Sequence, residues 1–132
     1  MKSLYLLSLL IVLFSCSNDK DCTNDILGTY QGTCISQTAN YEGQLTIFES
    51  PPGESDVFFS DGISHGGVSG YMGNLSSNCN TITVPSQFVT NTNGLSFSIS
   101  GTIHINGSTL TGDMIMDDGV TQKSCTLSLM KN

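Results

Sequence analysis

The sequence predicts an all-β domain of about eight antiparallel strands, arranged as an up-and-down barrel or as a flattened β-sandwich. Three observations carry this. Leu95, Phe97, Ile99, Gly101, Ile103 and Ile105 alternate without a break with Ser96, Ser98, Ser100, Thr102 and His104, the period-2 pattern of a strand with one buried and one wet face. Turn signals recur at intervals near ten residues, as in sandwiches and barrels. Beyond the first fifteen residues the chain is Ser, Thr, Gly and Asn interrupted by short runs of Ile, Val, Phe and Leu, a mixture that suits pleated surfaces and turns.

Taken in order, Leu27 to Ile35 and Tyr41 to Phe48 form two strands around a polar turn at Thr38-Ala39-Asn40, and Pro51-Pro52-Gly53 stops the second. Val57-Phe58-Phe59 is a short strand ended by Asp61-Gly62, and Val68 to Tyr71 is one interrupted by glycine. Thr81 to Val84 and Gln87 to Val89 flank Pro85, which cannot donate to a ladder and marks a bend, edge or bulge. After the long alternating strand, Asn106-Gly107 suits a type I′ hairpin turn. Leu110, Gly112, Met114 and Met116 then resume the pattern, Asp117-Asp118-Gly119 turns the chain again, and Cys125, Leu127 and Leu129 share one face of the closing strand.

The charge balance excludes one class of partner. Among 132 residues there are four lysines, no arginine and eleven acidic residues, and loss of a leader carrying Lys2 leaves three against eleven, a net charge of −8. Nucleic acid is captured by clustered Lys and Arg that displace counterions, and anionic lipid by basic patches; neither is to be expected here.

Residues 1–15 read as a signal peptide, with Lys2 at the start, an apolar run from Leu4 to Phe14 and Ser15 at the end. That run is too short to span a bilayer, which takes roughly 20 residues. Leu13-Phe14-Ser15-Cys16 resembles the lipobox of bacterial lipoproteins. The resemblance implies cleavage before Cys16, lipidation of that cysteine with acyl chains such as palmitate, and a lipid-anchored protein of the cell envelope. Two or three chains hold a protein durably on a membrane. The organisation expected is thus a leader over 1–15, a lipid-anchored tether over 16–25 and a β-domain over 26–132. Ser17-Asn18-Asp19-Lys20-Asp21 is similar to the acidic stretches that send Bacteroidetes lipoproteins to the cell surface, and it reads equally as a solvated spacer. The location expected is the outer membrane, periplasmic or surface-exposed.

Cys22, Cys34, Cys79 and Cys125 remain, an even number in an exported chain, and two disulfides are expected. Their wide spacing does not fit a zinc site, and no metal or other cofactor is predicted. If the first and last strands are neighbours, Cys34 and Cys125 face each other, which leaves Cys22 with Cys79.

Gly28-Thr29-Tyr30-Gln31-Gly32 in a first strand and the late hairpin from Ile103 to Gly112 resemble the small lipocalin-like β-barrel lipoproteins common in Bacteroidetes. That resemblance implies the barrel form more than any activity.

Candidates for chemistry are few. His104 falls on the wet face of its strand, and His65, in Ser64-His65-Gly66-Gly67, has no nucleophile elbow beside it. The glycine-rich run from Gly62 to Gly73 precedes no helix and is no phosphate cradle. Asp117-Asp118 and the group Glu49, Glu54 and Asp56 read as solvated loop charge. Tyr30, Tyr41, Phe59, Phe88 and Phe97 form a possible apolar pocket in a barrel mouth, or else fill a solid core. Without a nucleophile, base and orienter set, the function expected is non-catalytic: a membrane-tethered module binding a small apolar ligand or a protein partner. The alternative is a tethered inhibitor of a lysozyme or protease acting through Ser50 to Asp56 or Asp61 to Gly70.

Overall fold

The computed structural model describes residues 22–64 and 67–132. The leader, Cys16, most of the tether and His65 lie outside them. Eight antiparallel strands close into a barrel in chain order: β1 (Gly28–Ser36), β2 (Asn40–Glu49), β3 (Val57–Asp61), β4 (Val68–Leu75), β5 (Thr81–Thr90), β6 (Ser96–Asn106), β7 (Thr109–Asp117) and β8 (Gln122–Lys131). One helical turn, α1 (Thr23–Ile26), precedes them. The barrel expectation therefore holds over the sandwich, since each strand has a paired neighbour on both sides.

Closure follows from β1 pairing with β8, from Tyr30 opposite Lys131 to Ser36 opposite Cys125. It brings Cys34 within disulfide distance of Cys125, Cα to Cα 5.4 Å, and a second bridge joins Cys22 to Cys79 at 6.2 Å. Both pairings are those read from the sequence.

Inward-facing side chains fill the barrel. Tyr30, Cys34, Leu45, Ile47, Phe59, Tyr71, Ile82, Ile99, Ile103, Leu110, Met114 and Leu127 are all buried in one cluster. A Cβ on Gly73 would lie 2.6 Å from Ile82 Cγ2 and 2.8 Å from Phe59 Cε2, so glycine at that position makes room for the Phe59 ring. The ring stacks on Tyr71 with centroids 4.9 Å apart, a favourable offset geometry.

Two local expectations are corrected. Asn106 belongs to β6, and the β6–β7 turn is Gly107-Ser108 with positive φ at Gly107 and not at Ser108 or Asn106. That is the signature of a type II′ turn, with glycine first, rather than type I′. Leu95 lies outside β6 and is exposed, so the inward row starts at Phe97.

The up-and-down topology gives the barrel two unlike mouths. The near mouth carries α1, the β2–β3, β4–β5 and β6–β7 connections and the chain end. The far mouth carries the β1–β2, β3–β4, β5–β6 and β7–β8 connections. Ile26 is buried beneath the near mouth, where the Tyr30 hydroxyl donates to its carbonyl at 2.9 Å, Lys131 Nζ donates to the Asp25 carbonyl at 2.7 Å, and Cys22–Cys79 fastens the chain to the β4–β5 turn. Residues 22–25, read as tether, thus include part of this closing turn.

Candidate functional site

One side of the far mouth is covered by the described part of the β3–β4 connection. Its first residues fold inward, with Ile63 and Ser64 buried, because the buried Asp61 side chain organises them. Asp61 Oδ1 accepts from the backbone N–H groups of Ile63 and Ser64, each at 2.8 Å, and Oδ2 accepts from the Tyr71 hydroxyl at 2.7 Å. A buried carboxyl is tolerated when its lone pairs are satisfied in this way. Burial, with the charge and hydrogen bond of Asp61 added, pushes the Tyr71 phenol well above its ordinary range. Further along, the Gly67 carbonyl accepts from Thr92 N–H, and Val68 bridges to Asn91, tying this connection to the β5–β6 loop.

The other side of the far mouth is open around the β7–β8 turn, Asp118-Gly119-Val120-Thr121. This turn is internally braced. Asp118 Oδ1 accepts from Val120 N–H at 2.9 Å and Thr121 N–H at 2.7 Å, and Asp117 Oδ1 accepts from Gly119 N–H at 2.8 Å. The Thr121 and Val120 bonds, with a smaller contribution from Lys123, hold the Asp118 carboxyl below the usual carboxylate range. At the tip Val120 is 94 % exposed.

A cleft lies on each flank of the turn. Toward β1, one of about 210 Å³ is lined by polar groups from Ser36, Gln37 and Thr38 and from Thr121 to Ser124. Toward β5, one of about 260 Å³ has Phe88 on one wall, Ser96 and Ser98 with Phe97 along the floor, and Asp117, Asp118 and Gly119 on the other wall.

The five aromatic residues read as a pocket do not converge. Tyr30 is buried at the near mouth, Phe59 in mid-barrel and Phe97 at the far mouth, while Tyr41 is half-buried. Phe88 is 87 % exposed on the outer surface. The cause is a bulge at Pro85-Ser86: Val84 pairs with Gly101 but Gln87 pairs with Ile99, so β5 holds one extra residue. Such an insertion exchanges the two faces of a strand. Ile82 and Val84 point inward before it, Gln87 and Val89 after it, and Phe88 is turned out. Pro85 signals the irregularity in the sequence but not the change of parity.

Of the other candidates, His104 is exposed, Glu49 and Glu54 are exposed near the near mouth, and the Ser64 hydroxyl is buried without a hydrogen-bond partner among the described residues. Among those residues no group of three or more His, Cys, Asp or Glu is placed to hold a metal ion, and no helix is long and apolar enough to cross a membrane. The sequence does not signal the Asp61–Tyr71 pair, because Asp61-Gly62 has the form of an ordinary turn and Tyr71 lies in a glycine-rich stretch. Comparison of the chain with protein-family models, curated proteins and solved structures returned no match. The eight-stranded barrel itself is consistent with a lipocalin-like form.

Proposed function

We propose that this protein is a non-catalytic interaction module of the cell envelope, tethered through lipid on Cys16 to the outer membrane and presenting its far mouth to a protein partner. The observation that carries the reading is the placement of exposed apolar side chains. Among the described residues the two most exposed large apolar side chains, Val120 and Phe88, stand at the mouth opposite the N-terminal attachment, with Leu95 at the same mouth, whereas the less fully exposed Phe48 and Met130 lie toward the near mouth; strongly exposed apolar groups at one end are the usual mark of an interaction surface. The barrel interior favours this over an apolar ligand, because inward side chains pack it and Ile26 and Ile63 are buried at its two ends. An anchor at Cys16 leaves the near mouth toward the membrane and the far mouth toward whatever approaches.

A second reading, inhibition of a lysozyme or protease, is favoured by the braced β7–β8 turn. A rigid loop with an exposed apolar tip binds with little ordering cost. Of the two segments expected for that role, Asp61 to Ser64 is folded into the mouth, while Pro51 to Glu54 is exposed at the near mouth.

The test is photo-cross-linking in cells carrying the full chain, with the reactive residue at Val120 or, as control, at Glu54. A defined protein adduct from position 120 and none from 54 is expected; equal labelling, or adducts from 54 alone, would overturn the reading. Native mass spectrometry of the same protein addresses the ligand alternative, since mass lost on denaturation would restore it.

A further inference from the structure

We infer that the cleft between Phe88 and the β7–β8 turn receives an arginine side chain of a cationic protein; this rests on the far mouth being the docking face. Phe88 is paired with Ser98, and Ser98 with Asp117, so the three stand in one row across β5, β6 and β7 on the outer surface. With neighbouring strands about 4.8 Å apart, the Phe88 and Asp117 positions lie about 10 Å apart, on two sides of a cleft of about 260 Å³. A guanidinium plane fits between such walls: it stacks on an aromatic face and is held by a carboxylate through paired N–H donors.

The carboxylates are prepared for that role. Asp117 and Asp118 each use Oδ1 to brace the turn, and their Oδ2 atoms make no hydrogen bond among the described residues. The bracing bonds hold the Asp118 group ionised and fixed before any partner arrives. Charge supplies the selection of partner. The chain carries a net charge of −7, and Lys123 is the one lysine at this mouth among the described residues. A field of one sign steers an oppositely charged protein to the surface and repels like-charged ones. Val120 and Leu95, beside the cleft, then contact apolar surface around the arginine.

The experiment titrates the full-length protein in detergent micelles with N-acetyl-arginine amide, its lysine counterpart, and its neutral isostere N-acetyl-citrulline amide, followed by NMR at the Phe88 ring and the Gly119 and Val120 amides. Arginine is expected to give saturable shifts at these positions, lysine weaker ones and citrulline none. Affinity should fall about tenfold, equivalent to about 1.4 kcal/mol, in Phe88→Ala and in Asp117→Asn. It should also fall as salt rises from about 0.1 M to about 1 M and the screening length shrinks from about 10 Å to about 3 Å. Phe88 is exposed, and the side-chain amide introduced by Asp117→Asn keeps an oxygen to accept from Gly119 N–H, so both variants should keep the fold, which far-UV circular dichroism checks. Equal binding of citrulline, shifts at Glu49 and Glu54 as large as those at the cleft, or concentration-dependent shifts without any probe, which would mean a second copy occupies the site, would each overturn the inference. If Val120 cross-links a partner while arginine leaves the cleft unmoved, the docking face stands and the arginine is wrong.

Discussion

Gln87 takes the place of a strand residue opposite Met72. Its Oε1 accepts from the Met72 backbone N–H at 2.8 Å, and its Nε2 donates to the Met72 carbonyl at 2.8 Å and to the Pro85 carbonyl at 3.0 Å. Among the described residues the ladder between β4 and β5 otherwise joins Asn74 to Thr83 and Leu75 to Ile82, with one further bridge at Val68 and Asn91. A side-chain amide carries the same donor and acceptor as a peptide unit, so it completes the ring of strands where the bulge pulls the backbone away.

Replacing Gln87 by Leu should therefore cost about 0.5–1.5 kcal/mol, the net range for a typical hydrogen bond, since these groups are only partly buried. Gln87→Glu should also weaken the seam at neutral pH, because a carboxylate accepts from Met72 N–H but cannot donate to its carbonyl. Hydrogen exchange of the Met72 amide should speed up in both variants; unchanged protection there would show that the seam does not depend on this side chain.

Burial of the Tyr71 phenol, together with its contact to Asp61, sets an alkaline limit on stability. Because the native phenol titrates well above its ordinary value, while an unfolded tyrosine ionises near pH 10, its contribution is fully present below about pH 10. It is lost as pH rises from there toward the native value. Tyr71→Phe should lower stability at neutral pH by about 1.5–3 kcal/mol, typical of a hydrogen bond to a charged group, and should flatten the alkaline decline. Denaturant titrations at neutral and high pH measure both, and a parallel decline in the two proteins would refute the assignment.

The two disulfides should differ in what they protect. Each closes a long loop, with separations of 57 and 91 residues, and the chain-entropy model gives about 4–5 kcal/mol for loops of this size. Cys34 and Cys125 are both buried in the core, so replacing that pair with serine should lower the denaturation midpoint of the whole barrel. Replacing Cys22 and Cys79 should lower it by a similar entropic amount and should in addition expose the amides of α1 to exchange. Peptide mapping without reduction checks the pairing, and α1 amides equally protected in both variants would refute the difference.

The tether makes its own prediction. Cys16→Ser should move the protein from the membrane fraction to the soluble fraction, and unchanged partitioning after fractionation would remove the lipid anchor from the proposal.

The strand pattern was legible because one face of each strand is buried. Phe97, Ile99 and Ile103 inside against Ser98, Ser100 and His104 outside report the pleat directly. Cys34 and Cys125 were legible as a pair once closure was assumed. Phe88 was not, because a single extra residue at Pro85-Ser86 reverses the faces without changing composition. The far-mouth cleft was hidden for a different reason: Phe88 and Asp117 are 29 positions apart, and only the registers of β5 with β6 and of β6 with β7 put them in one row. In the sequence Asp117-Asp118 reads as solvated charge, which describes its exposure but not its brace on the turn.

The Cys22–Cys79 bridge has a mechanical consequence. Under the proposed arrangement the membrane pulls on the chain at Cys22 while a partner pulls at the opposite mouth, so tension crosses the barrel along its length. The bridge splits that load at its point of entry, passing part through α1 into β1 and part directly into the turn between β4 and β5, on the far side of the wall. Force is shared between two separated strand pairs, and α1 cannot be drawn out as the first element to yield.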